Sequence, residues 1–346
     1  MSSFVASLFY VLTHSLTLWP EAYECPENLN KPGTSWPIYG TYLIVSGVIF
    51  ITLYIPCFIA IVRTKTRIPA YQLMLILGIL DLISLCINSL VTGYLAINGI
   101  TFCQYPLFMF IIGAIAKSTW MTICLACILL AIERCVEVNS GFPLAFIFGK
   151  RTFRAVMTAL MIYWVYTLLF NAPPVYIPEY AYYSFDPMIG KDPALYVNVL
   201  HNINNPIVAI STTFLYFYLC YYLIFKYGYS TSMWLYKSKR QIILQGVIIC
   251  FFHAGTAIIY EFVQFFYTPQ WLILAGQIFW QWSSGSLSIV YLSLNRSIRN
   301  SVIKMIIPKK TRISWGIHIG ADEHVALEQA TAVNSVAVKF DNFFQK

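Results

Sequence analysis

The chain has 346 residues, 59% of them hydrophobic and only 10% charged, with a mean hydropathy of +0.67. A soluble domain carries about 25% charged residues, so this balance excludes a soluble fold. Apolar runs near the ~20 residues of a bilayer helix, rather than alternating strands of about ten, point to an all-α membrane protein.

Residues 1–38 read as an extracellular N-terminal segment. Phe4 to Trp19 is apolar and uncharged, but the Met-Ser-Ser start carries no positive n-region, so a cleaved signal peptide is not expected. The stretch is short for a span and is expected to lie at the interface or pack on the bundle. The acidic, Pro-flanked run Glu21-Ala-Tyr-Glu-Cys25-Pro-Glu is a loop.

Seven spans follow within residues 39–294. They are Tyr39–Val62, Ala70–Ile97, Pro106–Cys135, Ala155–Tyr176, Val199–Phe225, Ile242–Tyr267 and Trp271–Leu294. Charge orients them. The loops after spans one, three and five, with the segment after span seven as far as Arg312, hold 17 of the 22 Lys and Arg, whereas the opposite loops hold only Lys31 and Lys191. The basic side belongs in the cytoplasm, which puts the N-terminus outside and the C-terminus inside. The net charge of +8 is therefore topological and predicts no nucleic-acid partner.

After the seventh span, residues 295–308 set Ile298, Val302, Ile303 and Ile306 against Arg296, Arg299 and Lys304, as in an amphipathic helix on the inner leaflet. Pro308 stops it. Residues 309–346 are the cytoplasmic tail.

Of nine cysteines, seven lie in spans or at the inner face. Cys25 and Cys103 face outside, where an oxidising compartment favours a disulfide between them. It would tie the N-terminal segment to the top of the third span. No metal-ligand spacing occurs, and no cofactor is called for.

Three motifs carry chemistry. Asp81 sits mid-span in Leu77-Gly-Ile-Leu-Asp81, where a carboxylate must face the interior and find a partner, Asn88 or a serine among the choices. Leu130-Ala131-Ile132-Glu133-Arg134-Cys135 closes the third span on an acid–arginine pair that hydrocarbon does not tolerate. Tyr291-Leu-Ser-Leu-Asn295 with Arg299 closes the seventh. Beside these, Lys117, His253 and Glu261 are ionisable at membrane depth. Lys117 and Glu261 either pair across an outward-opening cavity or hold a charged ligand. Trp120, Tyr260, Phe265, Phe266, Trp280 and Trp282 supply an aromatic lining that suits an apolar ligand.

These motifs resemble a rhodopsin-like G-protein-coupled receptor. There the third helix ends on Asp/Glu-Arg-Tyr, the second carries Leu-x-x-x-Asp in a polar, often sodium-binding centre, and the seventh ends on Asn-Pro-x-x-Tyr followed by Asn and Phe-Arg. With Tyr23-x-Cys25 and Gly78-x-x-Asp81 added, the chain is similar to the nematode serpentine chemoreceptors, most of all class T, over about residues 20–310. The likeness implies a chemosensory receptor for a small, apolar or weakly charged molecule. Lys117, Trp120, His253, Tyr260 and Glu261 would line its site. Glu133, Arg134, Tyr291, Asn295 and Arg299 would serve activation of a heterotrimeric G protein. It also implies a multi-pass protein of the plasma membrane, the ciliary membrane of a sensory cell included, with homo- or heterodimerisation left open.

Departures are plain. The Asn-Pro pair is replaced by Leu287-Ser288, and Ile123 stands where the family's third helix has its sodium-binding serine. The sixth span lacks Cys-Trp-x-Pro and offers Cys250-Phe-Phe-His253-Ala-Gly255 instead. Its inner end, Lys237-Ser-Lys239-Arg240-Gln241, contains no acid to hold Arg134, so Glu133 or Glu137 would have to hold it. The loop Ile177 to Asn198 contains no cysteine, so the usual link from the third helix to this loop is impossible. A seven-span ligand-gated channel, or an orphan membrane scaffold, is the alternative reading; a channel of the insect olfactory type would place the N-terminus inside. A retinal protein is excluded, because Trp271 to Leu294 has no lysine for a Schiff base. The signatures Gly-x-Ser-x-Gly, His-Glu-x-x-His and Gly-x-Gly-Asp are all missing, so no enzyme is expected.

Overall fold

The computed structural model describes residues 6–64, 68–222, 225, 233–317 and 319. Lys65, Arg67, Lys226 and the tail beyond Ile319 lie outside them.

Seven long helices form the bundle. They are α1 (Pro37–Arg63), α2 (Pro69–Asn98), α3 (Pro106–Val138), α4 (Lys150–Phe170), α5 (Val199–Tyr222), α6 (Met233–Phe265) and α7 (Gln270–Ser293). α1, α2, α3 and α7 begin on or beside a proline, which is preorganised for a helix start and has no N–H to leave unpaired. α1 through α6 are long and apolar enough to cross a bilayer. α7 is as long but carries Gln277, Gln281 and four serines from Ser283 to Ser288, and it holds its place by hydrogen bonds. Gln277 donates to Asn88 O at 3.0 Å, and Gln281 donates to Leu43 O at 2.8 Å and Ser89 Oγ at 2.9 Å. In an apolar medium such bonds satisfy groups that would otherwise be costly to bury.

α3 is the hub. It is the most buried helix and packs against α2, α4 and α5. Small residues let neighbours approach it closely: Gly113, Ala114, Ala116, Ser118, Ala126 and Ala131 are all buried. The outward faces of the other helices are apolar, with Ile38, Ile162, Phe214 and Phe217 largely exposed. A belt of that kind is stable only against lipid.

α2 is not uniform. Residues Cys86–Val91 form a wide π-helical turn between two α-helical stretches. There Thr92 Oγ1 donates to Ile87 O at 2.7 Å, five residues back.

The fourth span ends earlier than expected. Hydropathy carried it to Tyr176, but α4 stops at Phe170 and Asn171 is extended. Pro173 and Pro174 are the cause, since a proline forces its predecessor out of the helical region and cannot donate within a helix. The apolar run Val175–Ile177 is instead β1, paired antiparallel with β2 (Tyr182–Ser184), Tyr176 opposite Tyr183. This hairpin lies across the end of α3. Gly113 sits under the carbonyl of Pro174, leaving no room for a Cβ.

The segment before α1 is packed and stitched. Ala6, Leu8 and Val11 are buried, and the short helix Leu8–Thr13 meets α4 through Phe9 and Phe170, ring centroids 5.1 Å apart. Cys25 and Cys103 form a disulfide, Cα atoms 5.6 Å apart. Trp36 Nε1 donates to Pro178 O at 2.8 Å, and Tyr196 donates its hydroxyl proton to Ala22 O.

Residues Arg296–Lys346 form a unit of their own. Its helix α8 (Arg296–Ile306) buries Ile298 and Val302, one turn apart, and Pro308 precedes a last helical turn at Lys309–Ser314.

Candidate functional site

A small cavity lies beneath the hairpin. α3 contributes Ala116, Lys117 and Trp120; the hairpin and its approach contribute Pro174, Tyr183 and Phe185. His201 comes from α5, Thr256 and Tyr260 from α6, and Trp280 from α7. A wider vestibule outside it shares Tyr183, Phe185, His201 and Tyr260 and leads from the loop side inward.

Lys117 is buried, 2% exposed. Its Nζ donates to Asn171 O at 2.8 Å and Ala172 O at 3.1 Å, where α4 runs into the hairpin. The expected partner Glu261 is elsewhere. Tyr260 faces the cavity, and its neighbour Glu261 is turned about 100° away on the helix, toward α5. There it accepts from Asn205 Nδ2 at 3.3 Å, in a lipid-facing groove shared with Phe262, Phe265 and Phe266. Asn205 also accepts from Trp120 Nε1 at 3.1 Å, so Glu261 meets the cavity wall only through an amide.

His253 sits one layer below the cavity. It stacks on Trp120 with centroids 5.9 Å apart, its Nδ1 2.9 Å from Ile249 O and its Nε2 3.5 Å from Cys127 Sγ. Of the five expected lining residues, Lys117, Trp120 and Tyr260 are in the wall, while His253 and Glu261 are not. Trp280 is in the wall, but Trp282 turns outward to Tyr42, and Phe265 and Phe266 face the groove. The hairpin residues and His201 were missed, because sequence treats the hairpin as span and loop.

The hydroxyls of the wall are committed. Tyr260 donates to Gln277 Oε1 at 2.9 Å, and Thr256 donates to Phe252 O at 2.7 Å. Thr92 spends its proton on Ile87, so Tyr183 donates to Thr92 across 3.0 Å. Burial pushes the Tyr183 hydroxyl up to about 12, which keeps that proton in place at neutral pH.

Deeper in the bundle Asp81 is fully buried. Its partners are Tyr54, whose hydroxyl donates to Oδ2 at 2.8 Å, and the expected serine, Ser284. The expected Asn88 instead donates to Ser84 Oγ at 3.2 Å and Trp280 O at 3.3 Å. Tyr291 is buried beside Tyr54, centroids 6.2 Å apart, and so is not an interfacial tyrosine. Asn295 follows α7, and Arg299 belongs to α8.

At the far end of α3, Arg134 Nη1 is 2.5 Å from Glu137 Oε2 and 3.5 Å from Glu133 Oε2. The first contact is a hydrogen bond; the second is an ion pair alone. The only acid in Met233–Phe265 is Glu261, toward the opposite end of that helix.

The fold is similar to that of squid rhodopsin. The TM-score is 0.55 at 13% identity, over 88% of this chain and 94% of that one. In sequence the chain is 25% identical to Serpentine receptor class T-55 of Caenorhabditis elegans over 272 residues, 78% of this chain and 74% of that protein. The model of the serpentine type seven-transmembrane G-protein-coupled chemoreceptor family Srt matches residues 6–315. With a seven-helix bundle around α3, a cavity under its hairpin and an acid–arginine pair at the other end, the chain belongs to that Srt family of chemoreceptors.

Proposed function

We propose that this receptor takes a small molecule from outside the plasma membrane and passes the signal to a heterotrimeric G protein inside. The observation that carries the reading is the placement of Arg134. It stands 17 residues beyond Lys117 on one helix, about 25 Å along its axis. Among the described residues it is restrained only by acids of its own helix.

A ligand in the cavity touches α3, α5, α6 and α7 at once. It therefore biases how α6 packs, as a shift between two packed arrangements. Outward movement of the basic inner end of α6 opens a cleft whose floor is Arg134. The guanidinium then meets backbone carbonyls of an inserted G-protein helix end. Tyr291 and Asn295 act at the same inner side, and the family likeness assigns Arg299 to activation as well. The bias of Lys and Arg toward the loops on this side supports a cytoplasmic C-terminus.

Arg134→Ala is the test. Signalling is lost while surface level and ligand binding persist. A variant that signals normally at matched surface expression reduces Glu133-Arg134 to a snorkelling pair and removes the mechanism. An N-terminal tag is expected to stain on intact cells, and a C-terminal tag only after permeabilisation.

A further inference from the structure

The wall of the cavity is short of acceptors and rich in donors. Lys117 Nζ carries three N–H donors, and two are used on backbone carbonyls. Those carbonyls solvate the ammonium but do not neutralise it, and no carboxylate lies within ion-pair distance of it among the described residues. Trp280 Nε1 is buried without a partner among the described residues. An indole nitrogen only donates. His201 Nδ1 is likewise buried and unpartnered. The hydroxyl protons of Tyr183, Thr256 and Tyr260 are spent inside the protein, so the wall's open donors are those of Lys117 and Trp280, with His201 in its Nδ1–H tautomer. Each residue of this group borders the cavity.

A buried cation at membrane depth normally has a counter-charge. Buried donors normally have acceptors. Here both are missing from the protein at one place, beside an empty volume. We propose that the ligand supplies them: a small organic carboxylate with an apolar body. The carboxylate takes the third N–H of Lys117 and the Trp280 indole N–H. The apolar body lies against Trp120, Phe185 and the face of Tyr260. A matched neutral molecule would leave the ammonium without its counter-charge, and a cationic amine would meet it head on. Glu261 does not enter this site, because its carboxylate is turned to the groove beyond Asn205.

The inference rests on the cavity being the receptor's ligand site, yet it is tested without any G protein. The full-length receptor, purified in detergent, is titrated with phenylacetate, benzoate and hexanoate, each against its methyl ester, and thermal unfolding is followed. At least one acid is expected to raise the Tm where its ester does not. Lys117→Gln is expected to weaken that acid at least about tenfold, the scale of a lost hydrogen bond to a charged group, and to leave acid and ester equal. Lys117 also anchors the hairpin, so Trp280→Phe serves as the second variant. It keeps the ring packing, removes one donor, and is expected to weaken the acid severalfold without affecting any ester. Equal shifts by acids and esters, no shift by any acid, or an acid preference intact in both variants would overturn the proposal. A receptor that binds the acid but does not signal would instead count against G-protein coupling and leave this inference standing.

Discussion

Glutamine at position 137 removes the closer of the two carboxylates that hold Arg134. Glu137 reaches the guanidinium at 2.5 Å but is 45% exposed, so water and salt screen it. An exposed pair of this kind is worth about 0.3–1 kcal/mol. If the resting arrangement makes the contact and the active one does not, its loss raises the active-to-resting ratio about two- to fivefold. Glu133 is 3.5 Å away and only 11% exposed. It makes no hydrogen bond to the arginine, and neutralising it also relieves a carboxylate of burial. Glu133→Gln is therefore expected to raise basal activity less than Glu137→Gln. The assay is agonist-free nucleotide exchange on a heterotrimeric G protein, in membranes with matched receptor surface levels. A fall or no change with Glu137→Gln, or a larger rise with Glu133→Gln, would refute this account of the restraint.

Three further outcomes follow from the packing. Breaking the Cys25–Cys103 disulfide frees a separation of 78 residues, worth about 4.5 kcal/mol in the chain-entropy account, so Cys25→Ser and Cys103→Ser should lower surface expression equally. The double variant should be no worse than either. Gly113→Val forces a side chain against the Pro174 carbonyl, which has no rotamer to change. The expected loss is at the upper end of the overpacking range, about 3 kcal/mol, read as a drop in Tm of the solubilised protein. Tyr54→Phe removes one of the two hydroxyl donors to buried Asp81 and should cost about 1–3 kcal/mol. With Asp81→Asn present the same change should cost measurably less, and strict additivity of the two would rule out the pair as the cause.

The bundle was legible because length and hydropathy alone decide which segments can span lipid. Where they failed, at the end of α4, a local rule was stronger: Val175–Ile177 is apolar enough to continue the span, but the two prolines before it forbid helix. Arg134 with Glu137 was readable because residues three apart on a helix meet whatever the tertiary structure does. Lys117 with Glu261 was not. Counting residues gives depth along a helix, but which way a side chain turns depends on packing no window sees. Asp81 shows the same limit, since its need for a partner and a serine as one choice were plain, while the choice of Tyr54 over Asn88 was made by the approach of α1. Two outward cysteines left only one pairing. The hairpin side chains of the cavity had no signal, because a loop's fold is set by what it lies on.

The π-helical turn at Cys86–Val91 acts as a phase shifter. It accommodates one residue more than a regular helix, and one residue corresponds to about 100° of rotation. Below it, α2 aims Asp81 at Tyr54; above it, the same helix aims Thr92 at Tyr183 of the hairpin. Deleting a single residue inside the turn would restore an ordinary helix with its hydrogen-bond ladder intact. It would also swing everything from Thr92 to Asn98 a quarter turn or more, taking Thr92 off the cavity lid without touching the polar centre. Length variation at this point thus changes the outer half of the receptor independently of the inner half.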